Sequence, residues 1–170
     1  MINALYFPDS IRSASSEAFK LYDKSVFGEK KGSAIIYSPI EALFLAQERK
    51  IIVYKETKKL SEEKILKLLR KNDKRISTKL AVYSDLRKKG YIVKTALKFG
   101  AEFRVYDKGV KPGENHARWV LSTAREHEQL NWHDFTAKNR VAHAAKKYLL
   151  LGIVDDEGDV SYYEIAWIKP

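Results

Sequence analysis

Apolar residues follow two rhythms along this chain, and the change between them falls near Gly90. Before it, short extended runs alternate with helical patterns. Residues 3–7 read as a strand, residues 10–24 as a helix with Ser10 or Ser13 as its cap, and residues 33–37 as a short apolar run. Ser38-Pro39-Ile40-Glu41 is a helix start, with a capping serine, proline at the first helical position and glutamate three residues after the serine. The helix it opens runs to about Arg49, with Ile40, Leu43 and Phe44 at helical spacing, and residues 51–54 form a strand. Residues 60–71 predict an amphipathic helix capped by Ser61, with Ile65, Leu66, Leu68 and Leu69 apolar. Residues 77–89 predict another, stopped by Gly90.

After Gly90 the pattern becomes strand-like. Residues 91–95, 102–106, 117–123, 148–154 and 160–168 are rich in Val, Ile, Tyr and Leu, and one helix interrupts them at 135–146. The fully polar stretch Lys71-Asn72-Asp73-Lys74-Arg75 marks the boundary. The expected class is α+β: a small N-terminal scaffold of mixed helices and strands over residues 1–75, then a C-terminal mixed-sheet domain with flanking helices over 76–170. No internal repeat is visible.

Composition narrows the function. A hydrophobic share of 45 % supports a packed core and excludes wholesale disorder. No run approaches the ~18 apolar residues of a membrane span. The start Met1-Ile2-Asn3-Ala4-Leu5-Tyr6 lacks the layout of a signal peptide. A cytoplasmic protein without a membrane partner is the expectation. Cysteine is absent, which excludes disulfides, thiolate nucleophiles and Cys-ligated zinc. The four histidines, His116, His127, His133 and His143, show no metal-site spacing. With 32 basic and 22 acidic residues the net charge is +10, which suits a polyanion or a charge-solvated surface. The 10 Tyr, 7 Phe and 3 Trp offer stacking surfaces for RNA bases, although most such residues ordinarily build the core.

Four constellations carry candidate chemistry. Pro8-Asp9 followed by Glu29-x-Lys31 fits a loose metal-nuclease pattern, but Glu-x-Lys recurs at Glu48, Glu56 and Glu62, so chance explains it. Tyr106 ends one strand and His116 begins the next across a loop marked by Gly109, Pro112 and Gly113, a layout that lets the two meet at one end of the sheet; taken alone, the pair reads first as structural. Arg140 and Lys147 lie two helical turns apart, while Lys146 and Lys147 also suit the negative end of a helix dipole. Asp155-Asp156-Glu157-Gly158-Asp159 is an acidic hairpin turn, an ordinary solvated turn or a plug for a basic pocket.

Lys88 to Tyr106, the Tyr106-to-His116 spacing, the block Arg140-Val141-Ala142-His143-x-x-Lys146-Lys147-x-Leu149-Leu150-Leu151 and the acidic turn after it together resemble the tRNA-splicing endonuclease family, archaeal type, catalytic chain. The likeness is strong over residues 77–170 and weaker over the 38–49 helix. The stretch from Arg125 to Thr136, with His127, His133 and Trp132, falls outside it.

The resemblance implies a C-terminal nuclease domain and a metal-independent ribonuclease without a cofactor. Such an enzyme cuts precursor tRNA at bulge–helix–bulge splice sites and leaves 2′,3′-cyclic phosphate and 5′-hydroxyl ends. It implies a catalytic triad on Tyr106, His116 and Lys147 and a bulge-base clamp on Arg140 and Trp167; Trp167 also reads as an apolar anchor of the last strand. Assembly is expected as a homotetramer, a dimer of dimers, or with a second, non-catalytic subunit. The alternative is an RNA-binding or structural subunit that is active only with a partner chain. Residues 160–168, apolar on both faces, predict a dimer seam, and Asp155, Asp156 and Glu157 predict the contact between dimers.

The chemistry agrees. Attack of a ribose 2′-hydroxyl on its phosphate needs a base, an acid for the leaving 5′-oxygen and a cation for the extra charge on phosphorus. An imidazole titrates near neutrality and suits the acid. A phenol, with its ordinary pKa of ~10, needs positive charge beside it to serve as base. A lysine supplies that charge.

Overall fold

The computed structural model describes residues 1–8, 10–96 and 100–170. They form two compact units, Met1–Leu80 and Ala81–Pro170. Among the described residues no helix is long and apolar enough to cross a membrane.

In the first unit β1 (Ile2–Phe7) lies between antiparallel β2 (Ser10–Ser13) and parallel β5 (Ile51–Lys55). With β3 (Glu29–Lys31), β4 (Ala34–Tyr37) and β6 (Lys58–Lys59) they make a six-stranded sheet, ordered β3-β4-β2-β1-β5-β6. Three helices accompany it: α1 (Ser16–Ser25), α2 (Pro39–Gln47) and α3 (Glu62–Asn72). The start of α2 is the capping box read from Ser38 and Glu41. Ser38 Oγ accepts the Glu41 N–H at 3.3 Å, and Glu41 Oε2 accepts the Ser38 N–H at 3.0 Å. Glu41 Oε1 also accepts the Gly28 N–H, so this buried carboxylate fastens the loop before β3 to the helix.

The expected helix over 10–24 is corrected. Residues 10–13 are β2, because Ile11 is buried between β1 and β4, pairing with Tyr6 and Tyr37. The helix begins only at Ser16, capped by Ser15, whose side chain accepts the Ala18 N–H. β3 and β6 left no hydrophobic signal: they are short, exposed, charged edges, a pattern that discourages pairing with another chain.

The helix α4 (Ile76–Lys88) leads into the second unit, a five-stranded mixed sheet. Its strands are β7 (Ile92–Thr95), β8 (Phe103–Tyr106), β9 (Trp119–Arg125), β10 (Tyr148–Val154) and β11 (Val160–Ile165), in the order β11-β10-β9-β8-β7. Only β9 and β10 are parallel, and α5 (Trp132–Ala144) makes the crossover that a parallel pair requires. One face of the sheet packs on α4. Tyr83 meets Phe103 with ring centroids 5.7 Å apart, and Gly152 sits so close that a Cβ there would fall 2.8 Å from Val82 Cγ1. On that face the Tyr162 hydroxyl donates to Asp85 at 2.7 Å; burial first, then this bond, holds the phenol well above the usual tyrosine range. The other face packs on α5, where Val120, Ala142 and Leu149 form a core with Ala101, Leu151 and Ile165 around them.

Several boundaries differ from expectation: β9 is displaced two residues toward the C-terminus, in register with β10, and α5 ends at Ala144 rather than residue 146, so Lys147 lies beyond the helix. α5 starts three residues early, because Asn131 accepts the Asp134 N–H at 2.8 Å and caps it. β11 stops at Ile165 rather than residue 168, because Ile165 pairs with Leu149, only one residue from the start of β10.

Candidate active site

Three local devices bring the site together. The first is the alternation of β8. Phe103 and Val105 are buried on one side, so Arg104 and Tyr106 share the other. Tyr106 is 4 % exposed at the strand's end.

The second is the loop that follows, which is built of two turns. The Val110 N–H donates to Asp107 O, and the Glu114 N–H donates to Lys111 O. Glu114 Oε2 returns a bond by accepting the Lys111 N–H at 3.2 Å. Gly113, at φ +97°, takes the left-handed conformation between Pro112 and Glu114. Asn115 Oδ1 then accepts the His116 N–H at 2.7 Å, leaving the imidazole side exposed just before the buried Ala117.

The third is the end of α5. Lys146 lies in the left-handed region at φ 55°, its N–H donates to His143 O, and the Lys147 N–H donates to Ala142 O. This is a Schellman termination with lysine where glycine is usual. It turns the chain so that Lys147 is the last residue before β10, and the Tyr148 N–H donates to Arg118 O at 3.1 Å.

Tyr106, His116 and Lys147 therefore line one cavity of about 500 Å³, together with Arg104 and the loop from Pro112 to Ala117. Burial first, and then the charge of Arg104, holds the Lys147 ammonium below the usual lysine range. The guanidinium carbon of Arg104 lies 5.9 Å from the centre of the Tyr106 ring. The pocket thus carries two cations, an imidazole and a phenol, a donor set suited to an anionic oxygen cluster such as a phosphodiester. Among the described residues no group of three His, Asp or Glu is placed to hold a metal ion.

The remaining candidates lie elsewhere in this unit. Arg140 is exposed on α5, its Nε donating to Thr136 O at 3.4 Å. Trp167 lies beyond β11, 54 % exposed, which corrects the alternative of a core anchor. Its ring stands edge to face on His143 at 4.3 Å between centroids. In the acidic turn Asp155 accepts the Asp159 N–H at 2.9 Å and so belongs partly to the turn itself, whereas Asp156 and Glu157 are exposed. Asp156 faces the His127 ring at 3.9 Å. Asp9 of the metal-nuclease pattern, and Leu97, Lys98 and Phe99 of the family-like block, lie outside the described residues.

Sequence reasoning assigned no role to Arg104 or His143. The signals were there: Arg104 is two residues from Tyr106 on a strand, and His143 is three from Arg140 on a helix, spacings that put each pair on one face.

Comparison with known proteins follows the same division of the chain. The family model described as tRNA intron endonuclease, catalytic C-terminal domain, matches residues 76–162, and the model of the N-terminal domain of the same enzymes matches residues 9–66. A tRNA-splicing endonuclease of Pyrococcus abyssi is 43 % identical over 162 residues, covering 95 % of this chain and 93 % of the relative. That of Methanothermobacter thermautotrophicus is 38 % identical over 157 residues, covering 92 % and 91 %. That of Nanoarchaeum equitans is 44 % identical over 137 residues, covering 77 % and 88 %.

Proposed function

Because this chain belongs to the tRNA intron endonuclease family, and is thereby an endonuclease of tRNA splicing, we propose that it cuts intron-containing precursor tRNA at bulge–helix–bulge sites through the ribose 2′-hydroxyl, without a metal ion. The products would be a 2′,3′-cyclic phosphate and a 5′-hydroxyl. One observation carries this reading: side chains from a strand end, a loop and a helix end, Tyr106, His116 and Lys147, share one pocket.

In this reading Tyr106 takes the proton of the 2′-hydroxyl as that oxygen attacks phosphorus. The bond from phosphorus to the 5′-oxygen breaks, and His116 gives the leaving oxygen its proton. Lys147 offsets the charge that gathers on the non-bridging oxygens in between. His116 suits a donor that must exchange its proton with water between turnovers, since its ring is exposed. Arg140 and Trp167 grip a bulged base, the exposed indole giving a stacking surface.

The catalytic role belongs to residues 76–170 and the scaffold role to residues 1–75. Self-association as a dimer of dimers has two supports. β11 is an edge strand with Tyr163 56 % exposed, and the acidic turn presents Asp156 and Glu157 to solvent.

The deciding experiment is incubation of the purified chain alone with intron-containing precursor tRNA and a chelator, followed by end-group analysis. Paired cuts with cyclic phosphate ends are expected. Cleavage that appears only when a second chain is added would make this a subunit of a mixed enzyme. Cleavage that needs a divalent ion, or that leaves 5′-phosphate ends, would overturn the mechanism.

A further inference from the structure

We propose that Arg104 is a substrate-contacting residue of this enzyme, its guanidinium binding the non-bridging oxygens of the scissile phosphodiester beside Lys147. The inference rests on the reading of Tyr106, His116 and Lys147 as the cleavage machinery, and extends it by a second cation.

Four observations carry it. The alternation of β8 sets Arg104 on the same side of the sheet as Tyr106, and both line the pocket that holds His116 and Lys147. The guanidinium carbon lies 5.9 Å from the centre of the Tyr106 ring, so the cation stands beside the proposed base. Its Nε is shut off from solvent and, among the described residues, has no hydrogen-bond partner. No carboxylate forms an ion pair with Arg104 among those residues, although Glu114 lines the same cavity; the Glu114 Oε2 bond goes to the backbone of Lys111. Two cations line this pocket without a carboxylate paired to Arg104 among the described residues; burial first, and then the charge of Arg104, lowers the Lys147 ammonium. An anion entering the pocket offsets both charges. A planar guanidinium with free N–H donors matches two phosphate oxygens at once, which a lysine cannot do.

This division of labour also gives a reason for both cations. Lys147 is set by a helix end and Arg104 by a strand, so the phosphate is located from two directions. One serves to meet the charge that develops on phosphorus. The other fixes the phosphate in line between the attacking and leaving oxygens.

The test uses full-length Arg104→Met, which keeps the apolar stem, and Arg104→Lys, which keeps the charge but loses the fork. Single-turnover cleavage is measured on a bulge–helix–bulge RNA. Binding is measured across salt concentrations on the same RNA with 2′-deoxy sugars at the cut positions, so that nothing is cleaved. For Arg104→Met the expected result is cleavage slower by about 10²–10³-fold. Its slope of log K against log salt should be shallower by about 0.7, the signature of one lost phosphate contact. The melting temperature should stay within a few degrees of the parent protein. Arg104→Lys should keep the slope and still cleave at least tenfold more slowly. An unchanged salt slope in Arg104→Met overturns the proposal whatever its rate. If Arg104→Met does not fold, Arg104→Lys decides alone, and cleavage at the parental rate overturns the forked contact. The binding arm needs no catalysis. A parent protein that binds the 2′-deoxy RNA but does not cleave its all-ribose counterpart would therefore refute the catalytic reading while leaving the Arg104 contact to be judged by its slope.

Discussion

The indole of Trp167 stands edge to face against the imidazole of His143, with centroids 4.3 Å apart and ring planes at 85°. His143 thus links the tail after β11 to α5, where it lies one turn from Arg140. That places a second aromatic face beside the proposed base clamp. Trp167→Ala is expected to weaken cleavage of a bulge–helix–bulge RNA by roughly 2- to 30-fold, matching a contact of about 0.5–2 kcal/mol. The effect should lie mainly in KM. Because the ring is half-exposed, the melting temperature should barely move, and a large drop would return Trp167 to a packing role.

His116→Ala and Lys147→Ala are each expected to slow single-turnover cleavage by about 10²–10⁴-fold, with RNA binding nearly intact. Rates are compared at saturating enzyme with chelator present. Either variant cleaving at the parental rate would remove that residue from the machinery.

The pH dependence follows from the depressed Lys147 ammonium. A lysine with its folded value below the unfolded one of ~10.4 is carried at a cost while charged. Its unfavourable contribution to stability is therefore complete below the folded value and disappears as pH rises through the unfolded value. Lys147→Met should accordingly melt no lower than the parent protein at neutral pH. Activity should fall on the alkaline side before the ordinary lysine range, as the cation is lost. Tyr106, His116, Glu114 and Arg104 share the pocket, and Arg104→Met should move that limb upward in the activity that remains.

Lys146→Gly tests the helix end. A left-handed conformation costs an ordinary L-residue about 1–2 kcal/mol, and glycine escapes most of it. The substitution is expected to raise the melting temperature by a few degrees and to leave cleavage unchanged, since the Lys147 N–H keeps its bond to Ala142 O.

For assembly, Asp156→Ala with Glu157→Ala is more informative than a change that includes Asp155, whose carboxylate also supports its own turn. If these side chains join two dimers, light scattering should report dimers for the double variant, and high salt should shift the parent protein the same way. A double variant that stays tetrameric and fully active would leave the turn as a solvated hairpin.

Much of this structure was legible in the sequence because local rules and tertiary packing agree. The Ser38 box, the Ser61 cap, the Gly90 stop and the strands of the second unit all follow from patterns that burial reinforces. The failure at residues 10–24 has a definite cause. Ser10 and Ser13 both read as caps, and only the pairing of residues 10–13 with β1 and β4 makes them a strand and leaves the cap to Ser15. Arg104 and His143 were hidden differently. Each reads as a surface residue until the sheet and the tail supply the second residue of its pair.

Arg140, His143 and Lys147 all ride on one helix or on its locked end. On the roles proposed for them, α5 is a ruler. The last turn of α5 and its Schellman end together set the separation of grip from cut, a length no loop motion can change. Inserting one alanine between His143 and Arg140 would swing the grip by about 100° around the axis while leaving Lys147 just before β10. Such an enzyme would still hold its RNA and still carry every reactive group, yet would present the wrong bond to them.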